Sequence, residues 1–184
     1  MDTKHAKTSA RKRQHGLTLV EAAIVLAIVA IVGASTVPSL AAFIDKRRLD
    51  GAAAALAADI QFVRSEAVAR RQALRLSVHG SGVSSCWVAH TGAASQCTCA
   101  DIGPAVCSSG AIEIKTVLLS ATERVRVSAN VSSILFDPLH GTSTPTGTLR
   151  LTDTRGRAIH HVVNVMGRVR SCSPGATVSG YPAC

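Results

Sequence analysis

The chain has 184 residues and a formal net charge of +9, with 20 Lys and Arg against 11 Asp and Glu. That length fits one compact domain with accessories and excludes a multidomain enzyme. A composition 47% hydrophobic and 17% charged excludes intrinsic disorder, a single long apolar run excludes a polytopic membrane protein, and the basic excess is compatible with nucleic acid or an anionic membrane surface.

Residues 1–16 carry Lys4, Lys7, Arg11, Lys12 and Arg13 against Asp2 alone. From Leu17 to Val37 the sequence LTLVEAAIVLAIVAIVGASTV then holds one charge, Glu21. As a helix this stretch rises roughly 32 Å, enough to cross a bilayer core. Basic residues ahead of it predict a cytoplasmic N-terminus and an exported remainder. Lys46, Arg47 and Arg48 on the far side weigh slightly against that orientation. An ordinary secretory signal carries its small cleavage residue after the apolar run, but here Gly16 precedes it. Cleavage after Gly16 removes the leader and keeps the helix. Glu21 in a bilayer costs about 2–3 kcal/mol and calls for a partner. The α-amino group created at Leu17 lies four residues away on the same helix face, and the same amine on a neighbouring copy is a second partner that would set the axial stagger.

The run GLTLVEAAIVLAIVAIVG at 16–33 resembles the N-terminus of type IV prepilins and type II secretion pseudopilins. The resemblance implies a basic leader cut after Gly16 by a prepilin peptidase, N-methylation of Leu17, and an assembly role for Glu21. Pro38 falls where many members carry a helix-bending proline. Leu17 departs from the Phe that is commoner at the first mature position.

Pro38 is expected to kink the helix rather than end it. Beyond it Leu49, Leu56 and Val63 repeat every seven residues, with Ala53, Ile60 and Ala67 as a second stripe and Asp59, Arg64, Glu66 and Arg70 elsewhere. The predicted helix ends near Arg71–Gln72 after about 55 residues, roughly 80 Å. A filament subunit uses such a rod, the first half among neighbours and the second under its own head.

From Ala73 the period changes to 2: Leu74, Leu76 and Val78 alternate with Arg75 and Ser77. Further runs are CWVAH (86–90), AIEIKTVLL (111–119), RVRVSA (124–129), SILF (133–136), GTLRLTD (147–153) and AIHHVVNVMG (158–167), each bounded by turn residues. They predict about six to eight short, mostly antiparallel strands against the second half of the helix, with 154–157 as a hairpin tip. The block at 133–172 resembles the heads of the minor pilin group that includes pseudopilin H and the FimT/FimU proteins. Those heads have a Phe-Asp-Pro turn, a Gly-Thr strand, a hairpin and a terminal Gly-Arg-x-Arg, here Gly167-Arg168-Val169-Arg170. The fold expected is therefore α+β and pilin-like, with a leader at 1–16, an assembly and transmembrane helix at 17–72 and a β-rich head at 73–184. Residues 80–110 lie outside the resemblance and read as a variable loop.

Six cysteines in an exported head imply disulfides, with 15 pairings open. Cys172 and Cys184 are expected to close a C-terminal loop, and Cys86, Cys97, Cys99 and Cys107 to pair among themselves. The rival is zinc on Cys97, Cys99, Cys107 and a histidine, for which Cys-x-Cys is poor spacing and an oxidising compartment unfavourable.

Catalysis has little support. His140 follows Asp137 without a nucleophile motif, and His160 and His161, as strand neighbours, point to opposite faces and read as surface and strand-edge histidines. No phosphate loop, dinucleotide fingerprint or metalloprotease motif occurs, so the reading is a non-enzyme without a cofactor. The arginines say more: Arg150, Arg155, Arg157, Arg168 and Arg170 occur with Asp153 as the only acid among them. Arg168 and Arg170 fall on one side of an extended segment, roughly 6–7 Å apart, near the spacing of successive phosphates. With the hairpin tip beside them they would form a patch for double-stranded DNA; the rival is a solvated face or a contact with the next subunit. Members of the FimT-type group with a Gly-Arg-x-Arg end are implicated in DNA uptake, and the resemblance extends that expectation here. The sequence thus predicts a minor pilin of a type IV pilus that binds DNA, held first in the inner membrane with a periplasmic head and then in the pilus beside other pilins. The alternatives are a type II secretion minor pseudopilin that does not bind DNA and, more remotely, a membrane-anchored enzyme.

Overall fold

The computed structural model describes residues 18–81, 84–100 and 103–184, and the chain divides into two units, Met1–Ala41 and Ala42–Cys184. Gly16 and Leu17, the expected cleavage junction, lie outside the described residues. One helix, α1, spans Leu19–Arg70. Thr18 sets its start: its Oγ1 accepts the Glu21 N–H at 3.2 Å, and its carbonyl accepts the Ala22 N–H at 3.1 Å. Thr followed three residues later by Glu is the spacing of a capping box, and Glu21 brings negative charge to the positive end of the helix dipole. In the first unit Leu19, Val20, Ile24, Leu26, Ile28 and Ile31 are exposed. A segment apolar on every side and long enough to cross a membrane is stabilised by lipid or by neighbouring helices rather than by its own chain. Pro38 lies within α1 and does not end it.

The helix ends in a Schellman motif. Arg71 takes φ +52°, its N–H donates to the Val68 carbonyl at 3.2 Å, and the Gln72 N–H donates to the Ala67 carbonyl at 3.1 Å. In the second unit the sevenfold seam is the core: Leu49, Ala53, Leu56, Ile60, Val63 and Ala67 are fully buried. Asp59, expected on a polar face, is buried instead; it accepts hydrogen bonds from Trp87 Nε1 at 2.8 Å and from Lys115 Nζ. A buried carboxylate needs such donors to offset desolvation.

Eleven strands follow among the described residues: β1 Leu74–Ser81, β2 Ser84–His90, β3 Cys97–Thr98, β4 Val106–Cys107, β5 Glu113–Leu119, β6 Val125–Ala129, β7 Ser133–Phe136, β8 Ser143–Thr144, β9 Gly147–Asp153, β10 Ala158–Val163 and β11 Val169–Cys172. The excess over the expected number comes from the two-residue strands β3, β4 and β8, which periodicity cannot detect. A five-stranded sheet runs β5-β2-β1-β7-β8 and a four-stranded sheet runs β11-β10-β9-β6, with every pairing antiparallel. Leu74, Leu76, Trp87, Ile134 and Phe136 of the first sheet and Val127, Leu149, Leu151, Ile159 and Val163 of the second join the helix seam in one core. The α+β class expected from sequence, one long helix and mostly antiparallel strands, is the observed one among the described residues.

The segment 80–110, expected to be a variable loop, instead carries the core strand β2, and the described residues that follow it, 91–100 and 103–112, add a small layer. Cys86, Val88 and Cys97 are buried together, with Cys99, Cys107, Ala111 and Leu118 packed around them. The Cys86–Cys99 disulfide fastens this layer to the outer face of β2, and Cys97–Cys107 ties β3 to β4 within it. Strand β2 is consequently buried on both faces, as a continuous apolar run requires. Cys172–Cys184 fastens the C-terminus, where the Cys184 N–H also donates to the Ser173 carbonyl at 3.3 Å. All six cysteines are engaged in disulfides, which leaves no thiolate for the zinc alternative.

Candidate nucleic-acid interface

Side chains alternate across the four-stranded sheet. Val125, Val127, Leu149, Leu151, Ile159, His161 and Val163 point inward and are buried. The opposite face therefore carries Arg126 and Ser128 on β6, Thr148, Arg150 and Thr152 on β9, His160 and Val162 on β10, and Arg170 on β11. Register fixes their neighbours: Ser128, Arg150, His160 and Cys172 form one row across the strands, and Thr148, Val162 and Arg170 the next. Arg168 joins them at the turn, where a shallow cleft is lined by Val162, Asn164, Arg168, Val169 and Arg170. Among the described residues the face holds no carboxylate and no Phe, Tyr or Trp. Arg126, Arg150, Arg168 and Arg170 are exposed, and none makes an ion pair among the described residues. Three strand spacings separate β6 from β11, about 14 Å.

His160 stands beside Arg150 on this face. Partial burial, and secondarily the Arg150 charge, push its pKa below the ordinary histidine value. The expectation of surface and strand-edge histidines fails for His161, which lies under α1. Its Nε2 faces the Ala53 carbonyl at 2.9 Å and its Nδ1 the Ser171 hydroxyl at 2.8 Å. A carbonyl only accepts, so Nε2 carries the proton and Nδ1 accepts from Ser171. Burial pushes the pKa of His161 down, so the ring is a neutral core group. Asp137 accepts the N–H groups of His140 at 2.8 Å and of Leu139 at 3.0 Å, which hold its carboxyl below the usual range; it serves a turn.

The five arginines singled out from sequence do not form one patch. Arg155 and Arg157 sit at the β9–β10 turn, and Arg168 at the β10–β11 turn at the other end of β10, about 20 Å away along the strand. Both tip arginines are occupied. Arg155 Nε donates to Asp45 Oδ2 at 3.1 Å, and Arg157 Nε donates to Asp153 Oδ2 at 2.7 Å. Arg157 Nη1 also reaches the Ala42 carbonyl at 3.3 Å. Asp153 Oδ1 accepts the Arg155 and Arg157 N–H groups, each at 2.9 Å, which builds the turn. The tip thus clamps the hairpin to α1. Arg126 takes the place of the tip arginines on the face: the alternation in RVRVSA was visible, but the register that sets β6 beside β9 was not.

The turn bearing Arg168 also breaks the run 158–167 that the sequence suggested as one strand. Asn164 Oδ1 accepts the N–H groups of Met166 at 3.1 Å and Arg168 at 3.0 Å, and Gly167 takes φ +69°. A side-chain amide that satisfies the turn backbone competes with the strand ladder and ends β10 at Val163.

Comparison with known proteins bears on the family and the fold. The family model for Type II transport protein GspH matches residues 52–167, and that for the prokaryotic N-terminal methylation motif matches residues 11–37. No curated protein matches the chain in sequence. Two crystal structures of the Pseudomonas aeruginosa (strain PAO1) type IV minor pilin FimU are similar. The form in space group P21 is 20% identical, covers 72% of this chain and 96% of its own, and has a TM-score of 0.50. The form in space group P65 is 21% identical, covers 68% of this chain and 97% of its own, and has a TM-score of 0.47. At that identity the P21 likeness concerns the fold. The methylation motif implies prepilin processing and assembly with other pilins. The family match spans more than half of the sequence and the head has the pilin fold, so the chain belongs to the GspH family of pilins and pseudopilins, which is structural rather than catalytic.

Proposed function

We propose that this protein is a minor pilin of a type IV pilus whose head binds double-stranded DNA through the outer face of the four-stranded sheet. The leader at 1–16 is removed after Gly16 and the new N-terminus at Leu17 is methylated. The helix at 17–72 holds the protein in the inner membrane with the head at 73–184 in the periplasm. Glu21 then pairs with a neighbour's α-amino group, and Pro38 bends the helix for packing during assembly.

The observation that carries DNA binding is the acid-free face with Arg126, Arg150, Arg168 and Arg170 exposed and unpaired among the described residues. Arginine gives planar, bidentate contacts to phosphate at any working pH. With no Phe, Tyr or Trp the face offers single-stranded bases little to stack on beyond the His160 ring, which favours the duplex backbone and sequence-independent binding. The test is a titration of the full chain in detergent micelles with labelled duplex at two salt concentrations. Arg168→Ala/Arg170→Ala removes two phosphate-binding cations and should reduce the log–log salt slope by about 2. Absence of binding at low salt overturns the DNA reading. The GspH family match then favours the second reading, a secretion minor pseudopilin whose arginines face protein neighbours.

A further inference from the structure

We infer that Arg64 of α1 is a positioning residue for the β10–β11 turn that carries Arg168 and leads into Arg170, acting through Gly167; the consequence for binding rests on the DNA reading above. The β10–β11 turn lies over the loop between β7 and β8. Ser143 joins them: its N–H donates to the Val165 carbonyl at 2.9 Å and its hydroxyl to the Asn164 carbonyl at 2.6 Å. Helix α1 touches both loops from beneath. Arg64 Nε donates to the Gly141 carbonyl at 2.9 Å, and Gln61 Nε2 to the Gly167 carbonyl at 3.4 Å. The stem of Arg64 lies against the bare Cα of Gly167. A Cβ there would stand 2.8 Å from Arg64 Cδ, 2.8 Å from Arg64 Nε and 2.8 Å from the Gly141 oxygen.

Gly167 is therefore required twice, by φ +69° and by the arginine packed under it. The turn it forms sets where Arg168 leaves the sheet and, one strand repeat on, where Arg170 does. A contact spaced for phosphates is useful only if its backbone is held, and the holding group is Arg64 on the rigid helix. Lysine would keep the charge at 64 but cannot present an in-plane N–H at the Nε position.

The experiment compares the full chain with Arg64→Lys and Arg64→Met in detergent micelles, with Arg168→Ala/Arg170→Ala alongside. Amide hydrogen exchange at Gly167 and Arg168 is followed without DNA, and duplex affinity and its salt slope are measured separately. Exchange should be faster in both Arg64 variants. Affinity should weaken about two- to tenfold, the worth of one net hydrogen bond, with an unchanged salt slope. Unchanged exchange overturns the positioning role. So does full affinity in Arg64→Lys with a slope reduced by about 1 in Arg64→Met, because Arg64 would then touch phosphate itself. If the unaltered chain does not bind duplex, the functional reading fails, and exchange alone decides whether Arg64 holds the turn.

Discussion

Arg155, at the tip of the β9–β10 hairpin, donates from Nε to Oδ2 of Asp45, 110 residues earlier on α1, at 3.1 Å. Asp45 is 3% exposed, and its second oxygen is met by Arg124 Nη1 at 3.4 Å. The hairpin tip is thereby held to the helix through a carboxylate that few water molecules reach. The Arg155 hydrogen bond, helped by the charge of Arg124, holds Asp45 below the usual carboxylate range against the upward pull of burial.

Arg155→Ala should lower the thermal midpoint and leave duplex binding unchanged, because Arg155 is spent on Asp45 and lies outside the basic face. The pH dependence has a definite sign. A carboxylate with a depressed folded pKa contributes stability that is present above its unfolded value, about 3.9, and lost as pH falls through the lower folded value. The acid limb of a stability–pH curve should therefore flatten in the variant. A loss of DNA affinity in Arg155→Ala comparable to that in Arg168→Ala would restore the tip to the interface.

The helix end yields a second prediction. Arg71 occupies the left-handed position of the Schellman motif at φ +52°, where a side chain is strained and glycine is not. Arg71→Gly should stabilise the head by about 0.5–1 kcal/mol after the added unfolded-state entropy is subtracted. Chemical denaturation gives the difference directly, and destabilisation would mean that the Arg71 side chain makes a contact worth more than the strain.

What the sequence made legible follows from which interactions are local. The apolar run, the sevenfold seam from Leu49 to Ala67 and the alternation in β9 and β10 are repeats of a single element, and they were readable. Arg170 lies on the outer face by strand alternation, whereas Arg168 was expected in the same extended segment and stands in the turn before β11. The sorting of arginines was not readable. Arg126 joins the face only because β6 pairs with β9, and Arg155 and Arg157 leave it only because Asp45 and Asp153 come within reach. Asp59 looked solvent-facing because its donors, Trp87 and Lys115, lie 28 and 56 residues away. Thr18–Glu21 was a local signal of the helix start, overshadowed by the other reading of Glu21 as a buried acid.

Two glycines at positive φ separate steric from backbone effects. Gly156, at φ +78°, has nothing within 4 Å of a built Cβ, whereas Gly167, at φ +69°, meets Arg64 and Gly141 at 2.8 Å. Gly156→Ala should cost about 1 kcal/mol for the left-handed backbone alone. Gly167→Ala should cost about 1–3 kcal/mol more, for overpacking, and should displace Arg168. Equal losses of stability in the two variants, measured by denaturation, would show that Arg64 and the Gly141 carbonyl both give way freely.

The last prediction concerns pH and the basic face. His160 is neutral at pH 7, since burial and then Arg150 lower its pKa below the ordinary value of 6.5. The side chains that face it across the strands are Arg150 of β9 and the Cys172–Cys184 disulfide, whose Cys184 Sγ lies 3.8 Å from His160 Nδ1. Among the described residues no carboxylate stands on that face to neutralise the imidazolium once it forms. Duplex affinity should therefore be flat between pH 7 and 8 and rise as the solution is acidified below about pH 6.5. His160→Gln should abolish the rise without changing affinity at pH 8. The buried His161 stays neutral through the upper part of that range and lies on the other side of the sheet, so it does not supply the charge. A rise that persists in His160→Gln would assign the effect to another group and remove His160 from the interface.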